Sequence, residues 1–155
     1  MPPEDRIELF HQWATKYFDH GLPIAAETLV YRASPDSPST LSNMSPAERA
    51  ESTSDALGMP GGTDTLASKL CIATGMYQLL RTAAFYPGEQ DVSSWREVEA
   101  RVVWCDKSVW MTPWSARGVQ EEIEESRRLG RSMRTISLVC IKGANHFVRS
   151  LAGSD

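Results

Sequence analysis

Ala100-Arg-Val-Val-Trp-Cys105 and Thr135-Ile-Ser-Leu-Val-Cys-Ile141 are the two stretches on which the fold turns. Each is a short apolar run, rich in β-branched residues and bounded by polar or turn residues, which predicts a buried strand. Between them Thr112-Pro113 opens a helix that runs to Leu129. Glu121, Glu122, Glu124 and Glu125 precede Arg127 and Arg128 along it, an order that complements the helix dipole. Gly130 is its natural stop. Strand, helix and strand form a βαβ unit, expected to be parallel and right-handed.

Upstream, the pattern is helical. Ile7, Phe10, Trp13-Ala14 and Tyr17-Phe18 recur at helical spacing and predict a helix over about 4–20, stopped by Gly21 and Pro23. Residues 24–31 predict a second, short helix, with a strand as the alternative, and 34–43 a loop dense in turn residues. Ser45-Pro46-Ala47-Glu48 is a capping box with proline at the first helical position, opening a helix to about Leu57 and Gly58. Thr63-Asp64 opens a longer one to about Tyr86, with Leu66, Leu70, Ala73, Met76-Tyr77 and Leu80 on one stripe. The chain thus divides into a helical, cap-like region over 1–90 and a βαβ part over 91–155, whose last residues, from Ser150, lose all pattern. The fold class is α/β.

Two parallel strands with one crossover helix are not a self-sufficient sheet. Parallel strands need cover on both faces, and both edges stand open. The helical first half can cover one face and supplies no strands. The sheet is therefore expected to be incomplete, with association through its open edges.

The 155 residues carry 16 Lys+Arg against 20 Asp+Glu, and the resulting net charge of -4 disfavours nucleic acid or an anionic membrane as partner. No apolar run is long enough to span a bilayer, and the acidic start Met1-Pro2-Pro3-Glu4-Asp5 lacks the apolar core of a signal peptide. A cytoplasmic location is the expectation. Cys71, Cys105 and Cys140 lie apart in apolar runs, with no CxxC and no His within ligand spacing, which predicts buried thiols and no metal. No phosphate-cradling or dinucleotide motif occurs, so no cofactor is expected.

Candidate chemistry gathers after the second strand, in Ile141-Lys142-Gly143-Ala144-Asn145-His146-Phe147. The C-terminal end of parallel strands is where α/β sheets place functional groups. The first strand ends in Cys105-Asp106-Lys107-Ser108. Asp106 and His146 can therefore meet across one sheet edge, where a carboxylate fixes an imidazole's tautomer and stabilises its protonated form. His11 and His20 read as surface or helix-end residues. Trp104, Trp110 and Trp114 are candidates to line an apolar pocket, with core packing as the plainer reading.

Together, the first strand with its Cys-Asp-Lys-Ser turn, the amphipathic helix, and Ile-Lys-Gly-Ala-Asn-His-Phe resemble the C-terminal end of an α/β-hydrolase domain. Gly-Ala-Asn-His-Phe is similar to the Gly-x-x-His-Phe segment after the last core strand of many fungal members. The likeness covers about 100–148 and is weak over 1–90, which looks like an inserted cap. It implies that His146 is the general base of a Ser-His-Asp type triad acting on a small apolar ester or amide. The family's acid usually lies three residues after a strand-ending Gly. Here Cys105 stands at the Gly place and Ser108 at the acid's, with Asp106 the nearest carboxylate. The nucleophile elbow and oxyanion loop belong to the family's N-terminal half, and nothing in residues 1–155 matches them. The resemblance therefore implies a fragment, inactive alone. A non-catalytic module that binds a small ligand or another chain is the alternative.

Overall fold

The computed structural model describes residues 2–52, 59–88 and 97–147. Among these residues five α-helices and two strands follow in order: α1 Pro3–Ala14, α2 Pro46–Ser52, α3 Thr63–Thr74, α4 Met76–Phe85, β1 Ala100–Cys105, α5 Met111–Arg128 and β2 Ile136–Ile141. The strand–helix–strand unit lies where the sequence puts it. Among the described residues the sheet has two strands, β1 and β2, paired in parallel from Ala100↔Ile136 to Cys105↔Ile141.

The core lies between α5 and one face of this sheet. Val119 and Ile123 of α5 pack with Ile136, and Phe85, Ala100, Val102, Met133 and Leu138 close around them. Each such side chain contributes about 1.5–3 kcal/mol when fully buried. The other face is open: Val103 and Val139, opposite one another in the register, are 56 % and 44 % exposed. The arrangement is an incomplete α/β sheet, covered on one side.

Helix α1 ends at Ala14, six residues before the expected stop at His20. Thr15 explains the early end. Its hydroxyl turns back to the His11 carbonyl (2.8 Å) and shares a hydrogen bond with the Ser39 hydroxyl (2.7 Å), while Lys16 forms an antiparallel bridge with Ser39. These side-chain bonds offer the backbone an alternative to another helical turn. Tyr17 to His20 then run along the end of the sheet instead, where the Phe18 N–H donates to the Lys107 carbonyl (3.0 Å). The expected helix over 24–31 is only a 3-10 turn, Ala26–Thr28. Thr28 closes it by accepting from the Ala25 N–H (2.8 Å) and donating to the Pro23 carbonyl (2.8 Å). The loop over 34–43 also holds a 3-10 turn, Thr40–Asn43.

The capping box forms as expected. The Ser45 N–H donates to the Glu48 carboxylate (2.8 Å) and the Glu48 N–H to the Ser45 hydroxyl (3.2 Å). The expected end of that helix at Leu57–Gly58, the 90/91 boundary and the tail from Ser150 lie outside the described residues. The single long helix expected over 63–86 is two helices. Gly75 takes a left-handed conformation (φ 68°) and separates α3 from α4. Leu66, Leu70, Ile72, Tyr77, Leu79 and Leu80 on this pair are all more than half exposed. The pair is fixed at its far end, where the Tyr86 hydroxyl meets the Ser126 hydroxyl (2.8 Å), Arg81 pairs with Glu122, and the Arg134 N–H donates to the Phe85 carbonyl (2.9 Å).

Candidate functional site

His146 stands on the turn after β2, at the carboxyl end of the parallel pair. Two devices shape that turn. Gly143 adopts φ 72°, which glycine tolerates without strain, and its N–H donates to the Asp106 carboxylate at 2.7 Å. Asp106 also lies 3.6 Å from the Lys142 ammonium. The two strand ends are further tied by the Asp106 N–H to the Ile141 carbonyl (3.3 Å) and the Lys107 N–H to the Ala144 carbonyl (3.0 Å). Asp106 thus sits beside the segment that carries His146, and its carboxylate holds the backbone of that segment.

The imidazole's hydrogen-bond partner is Ser108. Its hydroxyl lies 3.4 Å from His146 Nδ1 and donates to the Thr112 hydroxyl at 3.1 Å. Ser108 is fully buried, whereas His146 is exposed. The spacing that set Ser108 three residues after the strand end therefore puts a hydroxyl, with its own partner on the first turn of α5, against the ring.

His20 is the residue that pattern reading missed. It lies beyond α1 and is half-buried. Its Nδ1 accepts from the Val30 N–H (2.9 Å), and its Nε2 bonds to the Ser108 carbonyl (2.8 Å). Phe18, fully buried, stacks on its ring at 6.0 Å and 6°. The partners lie ten and 88 positions away, so only the second, through a fold already assumed, could have signalled the role. Asn145, next to His146, is also fully buried. Its side-chain amide donates to the Thr15 carbonyl (2.7 Å) and the Thr40 hydroxyl (2.6 Å), and its oxygen accepts from the Phe147 N–H (3.1 Å). Gly-Ala-Asn-His is therefore anchored on both sides, by Asp106 and by the segments around Thr15 and Thr40.

The tryptophans do not form one wall. Trp110 packs on Tyr31 (5.3 Å), Trp114 lies under the Arg117 guanidinium (5.2 Å), and Trp104 faces an open groove of about 600 Å3. Pro113, Ala116, Leu138 and Cys140 line that groove, Arg117 and Glu121 stand at its polar side, and neither His146 nor Ser108 takes part. Arg117 is already engaged, with the Ile24 carbonyl (3.0 Å) and Glu121 (2.7 Å). His11 is half-buried on α1, where its carbonyl caps Thr15.

Burial raises the thiol pKa of Cys105, helped by the neighbouring Cys140 and Asp106, and burial likewise raises that of Cys140. Neither is an activated nucleophile. Among the described residues no group of three His, Cys, Asp or Glu side chains is placed to hold a metal, and no helix is long and apolar enough to cross a membrane. No family model matches the chain, and no curated protein or solved structure matches it either.

Proposed function

We propose that this chain carries the base-bearing C-terminal part of an α/β-hydrolase-type site, acting on a small apolar ester or amide with a serine nucleophile and oxyanion donors supplied from outside residues 1–155. One observation carries the reading. An exposed imidazole stands at the carboxyl edge of a parallel strand pair, its Nδ1 on a buried hydroxyl that follows the neighbouring strand. In the reaction, His146 Nε2 takes the serine proton as the serine oxygen bonds to the acyl carbon, and returns it to the leaving alcohol or amine. Water then repeats the sequence and frees the acid. Asp106 serves this edge as the carboxylate that holds the turn carrying His146.

Loss of a triad's nucleophile costs several orders of magnitude in rate. The isolated chain is therefore expected to hydrolyse p-nitrophenyl esters at most about tenfold faster than its His146→Ala variant, a difference of about 1.4 kcal/mol in barrier. No serine is expected to react stoichiometrically with a fluorophosphonate. Labelling of one serine, lost in His146→Ala, overturns the fragment reading. A strand followed by Gly-x-Ser-x-Gly, encoded in frame upstream of Met1, supports it.

The apolar groove favours a second reading, a non-catalytic module that holds a small apolar ligand against Trp104, Leu138 and Cys140. A quench of tryptophan fluorescence by such ligands, lost in Ala116→Trp, with no gain of hydrolysis in the in-frame longer chain, favours that reading over the first.

A further inference from the structure

The geometry points to Ser108 as the positioning residue of His146: a neutral hydroxyl at Nδ1, fixing the ring with Nε2 unprotonated and facing outward. The inference rests on the reading of His146 as a base and names the group that orients it.

A count of protons carries the argument. A serine hydroxyl has one proton and two lone pairs. The Ser108 proton goes to the Thr112 hydroxyl at 3.1 Å. Only lone pairs remain for His146, so the ring must donate, and at 3.4 Å the donor is Nδ1–H. A neutral imidazole with Nδ1 protonated has its lone pair on Nε2. That nitrogen belongs to an exposed side chain, while Ser108 is fully buried. The burial also separates Ser108 from any substrate, so its part is to orient and not to attack.

Ser108 is itself fixed from two further directions. Its carbonyl accepts from His20 Nε2–H at 2.8 Å. The tautomer of His20 follows from its other nitrogen, which faces the Val30 N–H at 2.9 Å, a group that can only donate. The Ser108 N–H donates to the Cys105 carbonyl at 3.3 Å. The segment around His20, the end of β1 and the first turn of α5 thus converge on one serine. Asp106, the carboxylate of the same turn, is committed to the Gly143 N–H and the Lys142 ammonium. The hydroxyl orients the ring as a carboxylate does, and it brings no charge to set against an imidazolium.

The test is the nitrogen spectrum of histidine-labelled full chain, at a pH where the imidazoles are neutral. His146 is expected as the Nδ1–H tautomer and His20 as the Nε2–H tautomer, each the internal reference for the other. In Ser108→Ala the excess of Nδ1–H at His146 is expected to fall at least ~twofold, toward the Nε2–H form that a free imidazole side chain prefers. Ser108→Asp, an acceptor only, is expected to retain Nδ1–H. Thr112→Val returns the serine proton to Ser108, lets it donate to the ring, and is expected to lower Nδ1–H as well. An Nε2–H tautomer at His146 in the unsubstituted chain overturns the inference, as does an unchanged tautomer in a folded Ser108→Ala. Should Ser108→Ala not fold, the unsubstituted chain and Thr112→Val still decide. No substrate is involved, so failure of the ester assay leaves this result standing.

Discussion

Asn145 reaches back along the chain to Thr15, its side-chain amide 2.7 Å from a carbonyl 130 positions earlier. The same amide holds the Thr40 hydroxyl, and the Thr40 N–H in turn donates to the Thr15 carbonyl at 3.0 Å. One buried side chain therefore joins the end of α1, the 3-10 turn at Thr40 and the turn that presents His146. Buried amides earn such a place only when their donors and acceptor are matched, and here all three bonds are made.

Asn145→Ala is expected to lower stability by about 2–3 kcal/mol, because the Thr15 carbonyl and the Thr40 hydroxyl, both on buried residues, each lose a donor. Asn145→Asp is expected to cost at least as much, since a carboxylate cannot donate to two acceptors. Denaturant titration measures both. A loss below about 0.5 kcal/mol for Asn145→Ala, with the slope unchanged, contradicts the interlock.

Asp106 is expected to matter through the turn. Asp106→Ala removes the acceptor of the Gly143 N–H and is expected to speed exchange of that amide about tenfold or more, the loss of a bond to a charged group being worth about 1.5 kcal/mol or more. Asp106→Asn keeps an oxygen acceptor and is expected to fall between the two. Equal protection of Gly143 in all three chains removes Asp106 from this role.

Gly75 offers a clean measure of backbone strain, because nothing lies within 4 Å of the place a Cβ would occupy and φ is +68°. Gly75→Ala is expected to cost about 1 kcal/mol, with no steric contribution. A rise in stability with increased helix content would mean that α3 and α4 fuse into one helix when the glycine is removed.

The strand, crossover helix and strand were legible because short β-branched runs favour a pleated backbone, although only one face of each strand is covered and not both as expected, and because α5 orders its charges with its dipole. Gly75 was not: it sits inside an unbroken apolar stripe, and only its left-handed φ reveals the break. The end of α1 was hidden for a different reason. Tyr17 and Phe18 keep helical spacing with Trp13, yet they are buried against the sheet's end, not along a helix face. At the site, the place of His146 followed from its distance to a strand end. Which side chain meets its ring did not, since Asp106 and Ser108 lie on one short turn and the choice depends on partners at Gly143 and Thr112.

Of the three cysteines expected to be buried, Cys105 is buried and Cys71 and Cys140 are half-buried; the Cys105 and Cys140 thiols set an alkaline limit. Burial raises the pKa of both Cys105 and Cys140 in the folded chain. As pH rises the unfolded chain loses its thiol protons first and so binds fewer than the folded one, and stability falls. The contribution is fully present below the ordinary thiol range near ~8.5 and is lost as pH climbs through the raised values. The denaturant midpoint is expected to drop as pH rises past the ordinary thiol range. The drop is expected to be shallower in a Cys105→Ala, Cys140→Ala chain. Equal slopes in the two chains would assign the effect elsewhere.

The bond between Thr15 and Asn145 also sets a timetable. At synthesis rates of about 5–20 residues per second, the 130 positions between them take roughly 7 to 26 s to make. Over that interval α1 exists without the amide that later fixes its end. The residues that precede Asn145 must stay unaggregated for many seconds, with Leu9, Phe10 and the α3–α4 pair presenting apolar side chains to the surroundings. Nascent chains halted before and after Asn145 should therefore differ sharply in their resistance to protease at the N-terminal end.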